Sequence, residues 1–330
     1  MKKLNLQELA GGVLHGEPLA VTRALSYVME EKPDYGFLLK RLYSYSGRAV
    51  RIGLMGPTGC GKSSLASRII GSCRLHEKKV GVLVVDPTRP LSDGAFFGDR
   101  IRMQQHALDP GVFIRSLSIR DPSGGFGFGI FGALHVLEAS GCRVVLIETV
   151  GSGRDEAEVT RVSDTVIYVT VPSLVDDIQT IKSGIMEIGD IFVVNKADLG
   201  GKDSAIHCLQ SALNLGEGSA SPVGGPSLWK PPILATIATQ GYGVTQLLEY
   251  IERHQEYLRE SGEGRMRKRR QAQEELSLYM ARRSSGSRKT LKKVSQDHLD
   301  MLLDGKTDPV TLGNRLLPGL QKRNQRYGKK

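Results

Sequence analysis

The sequence predicts an α/β fold, a mostly parallel sheet flanked by helices, with helical extensions at both ends. Three observations predict it. Short β-branched runs that are apolar along both faces recur from Val50 onward, as strands covered on both sides of a sheet require. Longer stretches of helical period separate them, the spacing expected of crossovers between parallel strands. A glycine-rich segment, 56–61, joins the first run to a helix, an order that can gather backbone amides around an anion.

The elements follow in order. Residues 1–48 place Leu19, Val21, Ala24, Leu25 and Val28, then Phe37, Leu38 and Leu42, at helical spacing, which predicts two or three short helices. Strands are predicted at 50–55, 80–85, 144–147, 166–171, 191–194 and 233–237, the last after Pro231 and Pro232. A helix at 64–71 follows the glycine-rich segment. Residues 216–227, rich in Gly, Ser and Pro, read as a loop. Beyond Val244 an apolar stripe of Leu247, Leu248, Tyr250 and Ile251 continues to Leu258. The basic run 265–270 then opens a long charged helix, broken near 284–287. This divides the chain into an N-terminal helical segment (1–48), a central α/β domain (49–255) and a basic helical extension (256–330).

At 330 residues, with 40% hydrophobic and 24% charged side chains, the composition is that of a soluble globular protein. No apolar run reaches the roughly 18 residues of a membrane span, and the opening residues are polar, so membrane insertion and secretion are not expected. The net charge of +10 is uneven: residues 261–330 carry 18 Lys and Arg against 7 Asp and Glu, and the remainder is close to neutral. Only the tail supports a nucleic-acid reading, and its charge is better read as a surface for protein contacts. Cys60, Cys73, Cys142 and Cys208 show no paired spacing, which fits a reducing cytoplasm. The seven histidines show no ligand spacing either, and Trp229 reads as loop packing rather than as a base contact.

Gly56-Pro57-Thr58-Gly59-Cys60-Gly61-Lys62-Ser63 matches GxxxxGK[ST], and strand, loop and helix stand in the order that the motif requires. This is the signature of a P-loop NTPase. Its glycines let successive N–H groups face phosphate oxygens, Ser64 continues into the helix N-terminus, Lys62 reaches the β and γ phosphates, and Ser63 ligates Mg²⁺. Cys60 also admits a redox-switch reading, since a helix N-terminus lowers a thiol pKa, although that position tolerates many residues.

Asn195-Lys196-Ala197-Asp198 ends the strand at 191–194. A carboxylate at Asp198 accepts from the ring N–H and amino group of guanine, a donor pair that adenine lacks. The two motifs together predict a GTPase. Asp86 and Glu148 end strands, where an open α/β sheet binds its ligands. Glu148-x-x-Gly151 resembles the DxxG switch with Glu in place of Asp: the carboxylate holds a metal-bound water while the Gly151 N–H meets the γ-phosphate. Turn capping is the alternative for Glu148. Asp99 is either a metal-side carboxylate or an ordinary loop acid. Lys62 and Glu148 are the candidate catalytic residues, and Ser63, Asp86, Asp99 and Glu148 the candidate metal ligands.

With these motifs the chain resembles the MeaB/ArgK-type GTPases, through Val84-Val85-Asp86-Pro87, Gly98-Asp99-Arg100, Phe113-Ile114-Arg115, Glu148-Thr149-Val150-Gly151, Gly184-Ile185-Met186-Glu187, Asn195 to Asp198 and Asp308-Pro309-Val310-Thr311. The resemblance implies a homodimeric GTP- and Mg²⁺-binding protein that gates loading or protection of an adenosylcobalamin-dependent acyl-CoA mutase, typically methylmalonyl-CoA mutase. Adenosylcobalamin enters only through the client. The resemblance also implies a base loop at Ile237-Ala238, with Ile237 where the family has Ser. Further departures are the bulkier 88–94, the segment 172–177 without its usual glycines, and Arg154 in place of Gln. They suggest a divergent paralogue with a client of its own. Arg154 is either a cis-acting γ-phosphate contact or a solvated loop arginine. Two other readings remain, a metallochaperone-type GTPase for another metalloenzyme and a nucleic-acid-associated regulatory GTPase. The missing Cys/His cluster weighs against the first.

Overall fold

In the computed structural model, residues 5–86, 104–118, 127–149, 154–174, 183–216, 229–283 and 294–317 are described. They divide into two compact units, one of residues 50–125 and 142–264, the other of 1–49, 126–141 and 265–330.

The first of these units is built on seven strands, β1 (Val50–Met55), β2 (Val80–Asp86), β3 (Val112–Ser118), β4 (Val144–Thr149), β5 (Thr165–Thr170), β6 (Ile191–Asn195) and β7 (Ile233–Thr236), in the order β3-β2-β4-β1-β5-β6-β7. Every described pairing is parallel. β1 lies between β4 and β5, with Leu54 opposite both Glu148 and Ile167. The chain leaves β1 toward β2 on one side and later fills the other side with β5, β6 and β7. The carboxyl end of β1 is therefore the place where the winding reverses and α/β sheets bind ligands.

The apolar character of the strands is explained by their burial. β4 and β5 are buried along their whole length. On one face Leu65, Ile69 and Ile70 of the P-loop helix (Lys62–Leu75) join Ile52, Leu54, Leu146 and Ile167 in a common core. On the other face Gly53 lets the helix Arg154–Val162 approach, since a Cβ there would lie 2.3 Å from Val159 Cγ1. The helix Val244–Glu260 contributes Val244, Leu247 and Ile251 to the main core. β3 is the outer strand next to β2 and was not expected as a strand from periodicity, because Arg115 and Ser116 interrupt its apolar run. Trp229 packs a loop, as expected: its Nε1 donates to Asp190 O at 2.8 Å and its ring lies 4.8 Å from that of the buried His254.

The second unit is helical. Its elements are Leu6–Leu14, Pro18–Met29, Tyr35–Leu42, Gly129–Ala139, most of Glu263–Arg283, Gln296–Leu303 and Pro309–Leu316. The first three bear out the N-terminal helices. Asn5 caps the first helix, Ser295 and His298 form a capping box, and Asp308 caps the last helix ahead of Pro309, each satisfying amides that a helix start leaves open. The segment 129–139, read from sequence within the central α/β domain, groups here instead. Gly132 sets it close to Val28, whose Cβ would lie 3.1 Å from an added Cβ. A polar cluster lies inside this unit: His135 meets Glu275 and Ser46, each at 2.8 Å. Asp300 accepts three hydrogen bonds from Arg269, at 2.8, 2.9 and 3.1 Å, and this guanidinium, with that of Arg265, holds its carboxyl below the usual range. Among the described residues no helix is long and apolar enough to cross a membrane.

Candidate functional site

The P-loop leaves the end of β1 with left-handed backbone at Gly56 (φ 133°), Gly59 (81°) and Gly61 (97°). Two of these glycines are forced by close approach as well. A Cβ on Gly56 would lie 1.9 Å from Val169 O, and one on Gly61 2.2 Å from Asn195 Nδ2. Gly61 then caps the P-loop helix without any side-chain hydrogen bond to the first turn. The amides of Lys62, Ser63 and Ser64 thus stand at a helix start of the kind that binds phosphate.

Lys62 is buried, and its ammonium donates to Gly56 O at 2.7 Å and Pro57 O at 3.0 Å. The charge is held inside the curve of the loop. Thr58 and Gly59 are exposed at its tip. Cys60 is fully buried, and burial pushes its thiol pKa up, against the lowering influence of the Lys62 charge. This removes the physical basis of the redox reading: desolvation disfavours the thiolate more than the cation favours it.

Ser63 Oγ donates to Glu148 Oε1 at 2.6 Å, and both side chains are buried. The sequence separates them by 85 positions; the pairing of β1 with β4 brings them together. A hydroxyl and a carboxylate oxygen side by side are hard oxygen donors, the set that suits Mg²⁺. Asp86 ends β2, the strand beside β4; its side chain, like that of Arg154, lies outside the described residues, as do Asp99 and Gly151 altogether. The altered segments at 88–94 and 175–177 lie outside them as well.

The second motif meets the first through Asn195. Its Nδ2 donates to Cys60 O at 2.8 Å, while its Oδ1 accepts from Thr236 Oγ1 at 3.0 Å and from the Ala238 amide at 3.1 Å. One buried amide therefore joins the P-loop, the end of β6 and the loop after β7. Lys196 has a left-handed φ of 56°, and the Ala197 amide donates to Thr236 O at 3.0 Å. This turn carries Asp198 to an exposed position. Ile237 pairs with Tyr242 across the loop, its amide donating to Tyr242 O at 3.1 Å. The residues expected to bind phosphate and those expected to bind a base thus share one connected rim. Sequence reasoning missed Thr236 and Arg68, whose guanidinium donates to Ala238 O at 2.8 Å and also to Thr239 O. No motif marks either residue.

Comparison with known proteins agrees with this geometry. The family model described as methylmalonyl-CoA mutase-associated GTPase MeaB matches residues 21–293. The chain is similar to a putative GTPase of Pyrococcus horikoshii, PH0274, at 39% identity covering 94% of this chain and 97% of the relative. It is 30% identical to the GTPase ArgK of Escherichia coli, over 76% of each chain. A crystal structure of an LAO/AO transport system kinase superposes with a TM-score of 0.65 at 24% identity, covering 97% of this chain and all of the other, and supports the same fold.

Proposed function

The chain belongs to the family of methylmalonyl-CoA mutase-associated GTPases, and from that premise we propose that it is a GTP-gated chaperone for an adenosylcobalamin-dependent acyl-CoA mutase. It is a GTPase, binding GTP through a P-loop fold. The family match over residues 21–293 is the observation that carries the client class. The divergent segments noted in the sequence favour a client of its own within that class. The working form in this reading is a homodimer in the cytoplasm, with the C-terminal helices as dimer or client surface.

In the proposed site the P-loop amides of 56–64 receive the phosphates. Lys62, whose ammonium is held by Gly56 O and Pro57 O, turns to β and γ oxygens when nucleotide binds. Ser63 and Glu148 would hold Mg²⁺, with Asp86 and Asp99 as further candidate carboxylates. When bound, Mg²⁺ would supply charge neutralisation to the triphosphate. Glu148 also orients the attacking water, and the Gly151 amide meets the γ-phosphate. Asp198 accepts from the guanine edge, while Asn195 and Lys196 hold the turn that carries it and Ile237 and Ala238 line the base.

The test uses the full chain and a purified adenosylcobalamin-dependent acyl-CoA mutase. Their association is measured by calorimetry with a non-hydrolysable GTP analogue, with GDP and without nucleotide, alongside the rate at which the mutase loses activity during turnover. Nucleotide-dependent affinity and slower inactivation with GTP are expected. Equal affinity in all three states, or no association with any mutase of the class, contradicts the proposal.

A further inference from the structure

We propose that Arg68 is a positioning residue that sets guanine-nucleotide affinity by clamping the loop after β7 to the helix that carries the P-loop. The proposal rests on the reading of residues 56–64 and 195–198 as one guanine-nucleotide site. Arg68 projects from the P-loop helix on its exposed side, whereas its neighbours Ser67, Ile69 and Ile70 are buried. Its Nε donates to Ala238 O at 2.8 Å and its Nη2 to Thr239 O. A planar fork thus meets two successive carbonyls, an arrangement that an ammonium cannot reproduce.

The same loop is held from its other side. Asn195 Oδ1 accepts from the Ala238 amide at 3.1 Å, so the peptide groups flanking Ala238 are fixed by the base motif on one side and by Arg68 on the other. The loop therefore has a set position relative to the phosphate-binding helix before any base arrives. A loop ordered in advance costs less to order on binding. Without the clamp, only a fraction of molecules present the loop correctly, and apparent affinity falls by that fraction. The Ser63–Glu148 pair and the P-loop carbonyls around Lys62 do not involve Arg68, so the effect falls on binding and leaves the chemical step alone.

The test compares wild type, Arg68→Ala and Arg68→Lys, each as the full chain. Titration with fluorescent GDP, with ADP as competitor, and steady-state GTP hydrolysis are the readings. Arg68→Ala is expected to raise the GDP Kd and the GTP KM by roughly tenfold, the scale of one exposed charge-assisted clamp, with kcat within about twofold of wild type. Arg68→Lys, reaching one carbonyl at a time, recovers part of the affinity. Unchanged GDP affinity in Arg68→Ala, or a fall in kcat at constant KM, overturns the proposal. Should Arg68→Ala fail to fold, Arg68→Gln decides on the same readings. A wild-type protein that binds ADP as well as GDP overturns the guanine site and this proposal with it; intact wild-type discrimination with an unaffected Arg68→Ala overturns the role of Arg68 alone.

Discussion

Ser63 Oγ and Glu148 Oε1 lie 2.6 Å apart in the buried floor of the site, joining the first turn of the P-loop helix to the end of β4. The contact places the P-loop hydroxyl proposed to hold Mg²⁺ against the carboxylate that the ETVG segment supplies. Glu148→Gln keeps an acceptor for Ser63 but removes the charge. The expected result is a folded protein that still binds GDP and hydrolyses GTP about 10²- to 10³-fold more slowly in single turnover, the scale of losing one electrostatic contributor. Phosphate release at the wild-type rate contradicts the role given to Glu148.

The P-loop glycines are not equivalent. A Cβ at Gly56 would meet the backbone carbonyl of Val169 at 1.9 Å, whereas at Gly59 no atom of the described residues beyond its chain neighbours lies within 4 Å. Gly59→Ala therefore carries only the left-handed strain of about 1 kcal/mol, while Gly56→Ala also has to displace β5 and costs about 2 kcal/mol or more. Urea denaturation of the two variants checks the order.

Burial raises the Cys60 pKa, with the Lys62 charge opposing it. A raised pKa means a smaller thiolate share at pH 7.5 than a free cysteine has, growing as pH rises through and beyond the ordinary thiol range. Iodoacetamide is expected to label the partly exposed Cys208 well before Cys60. Peptide mapping after brief alkylation provides the check, and preferential labelling of Cys60 at neutral pH would count against this.

Inside the helical unit, His135 and Glu275 are a buried pair at 2.8 Å, each about 5% exposed. Removing one partner strands the other in a poor solvent for it. His135→Ala is expected to cost about 3 kcal/mol in denaturant unfolding, with little change in GDP affinity, because none of the residues proposed to bind nucleotide lies in that unit.

Much of this was legible in the sequence because it is local. Gly56 to Ser63 and Asn195 to Asp198 are contiguous, and strands such as 144–149 are apolar on both faces, a pattern that follows directly from burial on both sides of a sheet. Arg68 was not legible, since its acceptors lie some 170 positions away and are backbone carbonyls, which leave no side-chain signature. The strand Val112–Ser118 escaped periodicity because an outer strand tolerates Arg115 and Ser116. The grouping of Gly129–Ala139 with the terminal helices depends on Gly132 fitting against Val28, and a lone glycine within a helix does not announce its partner.

The central claim is that the P-loop and the Asn195–Asp198 turn, tied together by Asn195, form one guanine-specific site. Competition between GDP and ADP for the wild type and for Asp198→Ala measures it most directly. The expected outcome is a preference for GDP of about 10³-fold or more in the wild type, as for sites built to hydrogen-bond one edge of a ligand, falling at least about tenfold in Asp198→Ala. A wild type that binds ADP and GDP alike, or an Asp198→Ala variant with undiminished selectivity, would contradict it.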